Sequence, residues 1–166
     1  MKTVSIDLIR ELVGRAEAAP RRRTNHNLHP TLDDPVQRFF NVLQPGTYLR
    51  PHRHRPPAVW EAFVVVSGRA VALRFSDDGV VTDRCELSPI GPYIAVELPG
   101  EVWHSLAVLE PSTVLFELKP GPYRPLTDKD FAPWAPAESD GESASFARWQ
   151  AHAAPGDSYR SDRHGG

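Results

Sequence analysis

Gly46-Thr47-Tyr48-Leu49-Arg50-Pro51-His52-Arg53-His54, carried on through Glu61-Ala62-Phe63-Val64-Val65-Val66 to Gly68, is the stretch on which the fold turns. A turn at Gln44-Pro45-Gly46 feeds a segment that reads as a strand over 47–54. Residues two apart in a strand share a face, so His52 and His54 are expected to project to one side. Glu61 opens the next apolar run, and His104 arrives later in Pro99-Gly100-Glu101-Val102-Trp103-His104. Three imidazoles and a carboxylate on neighbouring strands are a ligand set for one divalent transition metal: Zn, Fe, Mn, Ni or Co. Phe63 and Val65 share the face of Glu61, while Leu106 and Val108 share that of His104. Burying the four polar groups there without an ion or partner would be costly.

Outward from this stretch the chain reads as short strands separated by turns. Strands are predicted over 36–43, 47–54, 60–66, 69–76, 79–87, 93–98, 103–109 and 112–119. Ser76-Asp77-Asp78-Gly79, between two β-branched runs, is the clearest hairpin signal. Prolines punctuate the apolar runs, as expected of a residue that ends strands. Eight such strands indicate an all-β sandwich or a closed jelly-roll barrel.

The flanks differ in character. Ile6, Ile9, Leu12, Val13 and Ala16 recur at helical spacing, with Ser5 or Asp7 as a cap and Pro20 as a stop. Arg21-Arg22-Arg23-Thr24-Asn25 begins a polar, aperiodic arm. It reads either as a solvated linker or as an oxyanion site, because guanidinium forks match phosphate and carboxylate. Phe131, Trp134, Phe146 and Trp149 are expected to lie over the outside of the barrel or across a subunit boundary, the last two on a short helix. The expected organisation is an amphipathic helix over 1–20, a polar arm over 21–35, a β-barrel over 36–125, an aromatic and helical segment over 126–154 and a disordered tail over 155–166.

At 166 residues, with 40% hydrophobic and 24% charged residues, the chain is long enough for one real core. A net charge of −2 supplies no global field to attract nucleic acid. The single cysteine, Cys85, cannot form an intramolecular disulfide and fits a reducing, cytoplasmic setting. Met1 to Pro20 lacks the apolar core of a signal peptide, and no run is long enough to cross a bilayer as a helix.

Further site candidates follow from strand periodicity. Tyr48 and Arg50 share the predicted face of His52 and His54, so both are expected to line the cavity, where Arg50 could bind an anion. Gln37 and Asn41 share a face of the first strand, and buried amides there need partners in the cavity. Glu117 and Lys119 share a face of the last strand, either as an ordinary ion pair or as an acid/base pair; Glu117 is the best candidate base. Arg22, Arg23 and Asn25 are the candidate anion contacts of the arm.

The order Gly46-x5-His52-x-His54, Glu61, Gly68, then Pro99-x4-His104 resembles the paired motifs of the cupin superfamily. The runs Val36-Gln37-Arg38, Pro51-His52-Arg53-His54, Trp103-His104, Phe116 to Tyr123 and Asp128 to Pro136 are similar to small WbuC-type cupin metalloproteins encoded with bacterial O-antigen genes. This chain departs by six residues between His54 and Glu61, where three or four are usual, and by Val108 in place of Asn. The resemblance implies a cupin-type double-stranded β-helix around one metal ion. It also implies a small polar or anionic ligand, such as a sugar or nucleotide-sugar, in lipopolysaccharide metabolism. Three functions are compatible: an isomerase or epimerase, a non-catalytic binding or regulatory module, and an Fe-dependent dioxygenase. A homodimer is expected, joined through the apolar cover that the two flanks offer.

Overall fold

The computed structural model describes residues 1–55 and 60–160. In chain order the elements are α1 (Ile6–Ala18), β1 (Arg23–Asn27), β2 (Val36–Leu43), β3 (Glu61–Ser67), β4 (Ala70–Phe75), β5 (Val81–Leu87), β6 (Ala95–Leu98), β7 (Trp103–Val108), β8 (Thr113–Pro120), a 3-10 turn (Asp128–Asp130) and α2 (Ser143–His152). The strands form two antiparallel sheets, one in the order β1-β2-β8-β3-β6 and one in the order β5-β4-β7. They face each other as a sandwich without closing into a barrel among the described residues.

Alternation along the strands builds three apolar layers. Phe63 and Val65 of β3, Leu115 of β8, Leu43 of β2 and Leu106 and Val108 of β7 pack between the sheets. On the outside of the larger sheet, Leu12 and Ala16 of α1 are fully buried against Val42 and Val114. Ser5 caps this helix, its hydroxyl accepting from Leu8 N at 3.1 Å. The outer face of the smaller sheet (Val71, Leu73, Phe75) is covered by the C-terminal segment, with Phe146 of α2 at its centre. Gly68 links β3 to β4 at φ +75°, and a Cβ there would lie 2.8 Å from Thr113 Cα, so glycine is required on both counts.

Four expectations change. The segment 47–54 is not a strand; it is held by reciprocal His52–His104 backbone bonds of 3.0 and 2.9 Å. Arg53 N also donates to Asp130 O, and Ala132 N to Pro51 O. Pro51 has no N–H to give, and without a continuous ladder the period of two does not propagate. Tyr48 and Arg50 therefore leave the cavity: the Tyr48 hydroxyl donates to Pro136 O at 2.8 Å within the outer aromatic layer. Arg50 lies over the Phe131 ring at 5.1 Å and donates to Ala132 O. The polar arm contains an edge strand, β1, in register with β2 from Arg23↔Leu43 to Asn27↔Phe39; polar side chains suit an edge that meets water. The expected tail is ordered through its first part. Ser158 bridges Val80, and the Tyr159 ring packs 4.8 Å from Phe146. Residues 161–166, including His164, lie outside the described residues. Both flanks pack on their own sandwich, while Ile6 of α1 stays exposed.

Candidate metal centre and its cavity

β7 turns His104 inward together with Leu106 and Val108, and β3 turns Glu61 inward together with Phe63 and Val65. The 52–54 segment runs against the start of β7 and completes the group. One ligand atom from each of His52, His54, Glu61 and His104 lies within 4.8 Å of the others. Ring centroids are 4.5 Å apart for His52–His104 and 5.3 Å for His52–His54.

Backbone carbonyls set the imidazole tautomers. His52 Nδ1 lies 3.0 Å from Arg50 O, and His104 Nδ1 lies 2.8 Å from Val102 O. A carbonyl only accepts, so each Nδ1 carries a proton; in the neutral ring this leaves a lone pair on Nε2, the form that ligates metals. Glu61 Oε1 sits 2.5 Å from His104 Nε2, and Oε2 sits 3.3 Å from His54 Nε2. Neither contact is aligned as a hydrogen bond, and both Nε2 atoms are buried without a hydrogen-bond partner. Buried, unpartnered nitrogens converging on a carboxylate are the donor set of a divalent ion, and these residues fit one.

The electrostatics agree. Burial, with His104 adding to it, pushes His52 down to about 3, so it is neutral at ordinary pH. Burial alone would push Glu61 up, but His104, His54 and Lys119 together hold it well below the usual carboxylate range. Burial pushes His104 down, and Glu61 outweighs it and holds the ring above its ordinary value. The ionised carboxylate thus needs a cation beside it, a role filled by a proton on His104 or by a metal.

The centre opens into a cavity of about 640 Å³, lined also by Gln37, Phe39, Asn41, Glu117 and Lys119. Lys119 Nζ lies 2.7 Å from Glu117 Oε1 and 3.7 Å from Glu61 Oε2, and Asn41 Nδ2 donates to Glu117 Oε2 at 2.6 Å. Burial pushes Glu117 up to about 7; Lys119 opposes this and the nearby Glu61 adds to it. Burial pushes Lys119 down, but Glu117 and Glu61 reverse the shift, and it stays a cation.

The arm is divided by the fold. Arg23 reaches the cavity's edge, donating to Tyr48 O at 2.6 Å, and shares Glu138 with Arg21 at 2.9 and 2.6 Å. Arg22 turns back to Glu17 O, and Asn25 is exposed and paired with Asn27. The two arginines are therefore not free cations: one carboxylate, Glu138, is shared between Arg21 and Arg23. Several cavity residues escaped the sequence reading, Phe39 and Asp130 among them. Phe39 lies under Lys119 at 5.4 Å, and the same period of two that joined Gln37 to Asn41 includes it. Asp130, on the mouth, carries no local signal of its position.

Residues 4–87, about half of the chain, match a protein family described as a domain of unknown function (DUF6016). The chain belongs to that family. No curated protein matches this DUF6016 chain. Among solved structures it resembles TT1209 from Thermus thermophilus, at 15% identity over 72% of this chain and 97% of that one, with a TM-score of 0.52. It also resembles CapF with the inhibitor 3-isopropenyl-tropolone, at 22% identity and a TM-score of 0.54, covering 64% of this chain but 30% of CapF. A cupin superfamily protein from Desulfitobacterium hafniense DCB-2 matches at 14% identity over 66% and 86% of the two chains, with a TM-score of 0.48. What the first two of these likenesses carry is the fold alone, a two-sheet antiparallel β-sandwich. No helix among the described residues is long and apolar enough to cross a membrane.

Proposed function

We propose that this DUF6016 protein is a metal-dependent enzyme that moves a proton on a small polar molecule, in an isomerisation or epimerisation. The observation that carries this reading is the opening of Glu117 and Lys119 into the same cavity as the His52, His54, Glu61 and His104 group. Those four residues would hold a single divalent ion. Such an ion, when bound, supplies Lewis-acid polarisation of a carbonyl or hydroxyl. Glu117 takes and returns the proton at a carboxylate oxygen, with Asn41 and Lys119 fixing its orientation. Its position near 7 suits both directions of transfer. Phe39, Leu43, Phe63 and Leu106 line the cavity and keep the site dry around the reacting group.

The resemblance to WbuC-type proteins supports a sugar or nucleotide-sugar as the substrate, in O-antigen or lipopolysaccharide metabolism. A homodimer is part of the proposal. Apolar surface that would serve it includes the outer side of β3 and the segment before β6, where Val66 and Ile94 are 47% and 55% exposed, and Ile6 of α1. A mass of 18.5 kDa by light scattering would contradict it.

Deuterium uptake tests the chemistry. Metal-loaded protein incubated with ketoses, aldoses and nucleotide-sugars in D₂O should place deuterium at carbon in one of them. Glu117→Gln should lose the exchange while keeping its metal. A second reading, a binding or regulatory module, is favoured by the full pairing of Glu117 with Asn41 and Lys119; saturable binding with unlabelled ligand recovered would support it. Oxygen consumption by the Fe(II)-loaded protein would support the dioxygenase instead.

A further inference from the structure

Gln37 sits on β2 directly opposite Lys119 of β8, 1% exposed, in the wall of the cavity. Its Nε2 donates to Leu32 O at 3.1 Å and to Asp34 O at 2.9 Å. Carbonyls accept and never donate, so these two bonds settle which end of the amide is nitrogen and use both of its protons. The other end, Oε1, accepts no hydrogen bond from any described residue, and it is not among the atoms sealed away from solvent without a partner. A buried amide locked at one end thus presents a fixed acceptor in the cavity wall. Asn41, two residues beyond Phe39 on the same face, gives its Nδ2 to Glu117.

We infer that Gln37 is a specificity-determining residue that accepts a hydrogen bond from a hydroxyl of the ligand, selecting polyhydroxylated small molecules. A carboxylate, phosphate or carbonyl oxygen cannot fill that place, since it has no proton to offer and would face Oε1 lone pair to lone pair. The rigidity matters: an amide free to rotate could present nitrogen to an acceptor and oxygen to a donor, whereas this one presents oxygen alone. A site built to pair a hydroxyl rejects the analogue that lacks it, because its own buried group is then left unpaired. The inference rests on the cavity being the ligand site, as the proposed function has it, and it requires no turnover.

The test is binding to the metal-loaded full chain, measured by titration calorimetry with aldohexoses, ketohexoses and their single-deoxy analogues. One deoxy analogue should bind wild-type protein roughly ten- to a hundredfold more weakly than its parent. In Gln37→Met the two should bind alike. Gln37→Met also gives up the bonds to Leu32 and Asp34, so its thermal unfolding is recorded alongside; if it does not fold, equal binding of parent and every deoxy analogue by wild-type protein still overturns the inference, and Gln37→Glu, which keeps the shape and offers acceptors only, takes its place as the variant. Equal binding of parent and every deoxy analogue, discrimination that survives in Gln37→Met, or no binding of any sugar in the panel would overturn the inference. Hydroxyl discrimination without deuterium uptake would sink the proposed chemistry and leave this inference standing. Deuterium uptake without hydroxyl discrimination would do the reverse.

Discussion

Replacing Glu117 by Gln should change how stability depends on pH, in a direction that the cavity specifies. Burial first, then the nearby Glu61, raises this carboxyl from an ordinary 4.5 to about 7, against the pull of Lys119. Between those two values the folded chain holds a proton that the unfolded chain has released. Stability therefore falls as pH rises through this window and levels off above the folded value. At 1.36 kcal/mol per unit, the full fall is about 3 kcal/mol. Gln keeps the shape and a carbonyl acceptor for Lys119 but cannot titrate, so its profile should lack that fall. Urea unfolding of wild-type protein and Glu117→Gln, from pH 5 to pH 8 in the presence of a chelator, measures the difference directly. Groups that titrate alike in both proteins cancel. The wild-type protein should lose roughly 2–3 kcal/mol relative to the variant across that range. Parallel profiles would refute the raised value. A wild-type protein that gains on the variant as pH rises would mean that the ion pair with Lys119 outweighs burial and that Glu117 is ionised throughout. Either result would also remove the basis for Glu117 as a proton carrier near neutrality.

Two further outcomes follow from other parts of the structure. Untagged protein should carry close to one divalent ion by elemental mass spectrometry, and His52→Ala/His104→Ala should carry none; at a hundred times its dissociation constant the ion should add about 2.7 kcal/mol to wild-type stability, lost in the variant. Phe146→Ala should cost about 3–5 kcal/mol by urea unfolding, because the ring is fully buried between Tyr48, Trp149 and Tyr159 and its removal leaves a cavity under α2.

The candidate metal-ligand group was legible in the one-dimensional order of the chain. His52, His54, Glu61 and His104 were named from their spacing among apolar runs, and the fold brings their ligand atoms together. The strands were legible wherever a ladder exists, because a ladder enforces the pleat; hence the inward faces of β2, β3, β7 and β8 came out as read, with Gln37, Asn41, Glu117 and Lys119 on the cavity. The same rule misplaced Tyr48 and Arg50, since 47–54 is bridged at His52 alone among the described residues and has no ladder to hold alternation. What only the tertiary structure decided depends on contacts between residues far apart in sequence. Glu138 pairs with both Arg21 and Arg23 across 117 and 115 residues, and the bonds from Gln37 to Leu32 and Asp34 turn an amide into a fixed acceptor. Tyr159 makes core out of what read as a polar tail. Local pattern records which way a paired strand must face; it holds no record of which distant group will meet a charge or seal a cavity, because that follows from how the layers close on one another.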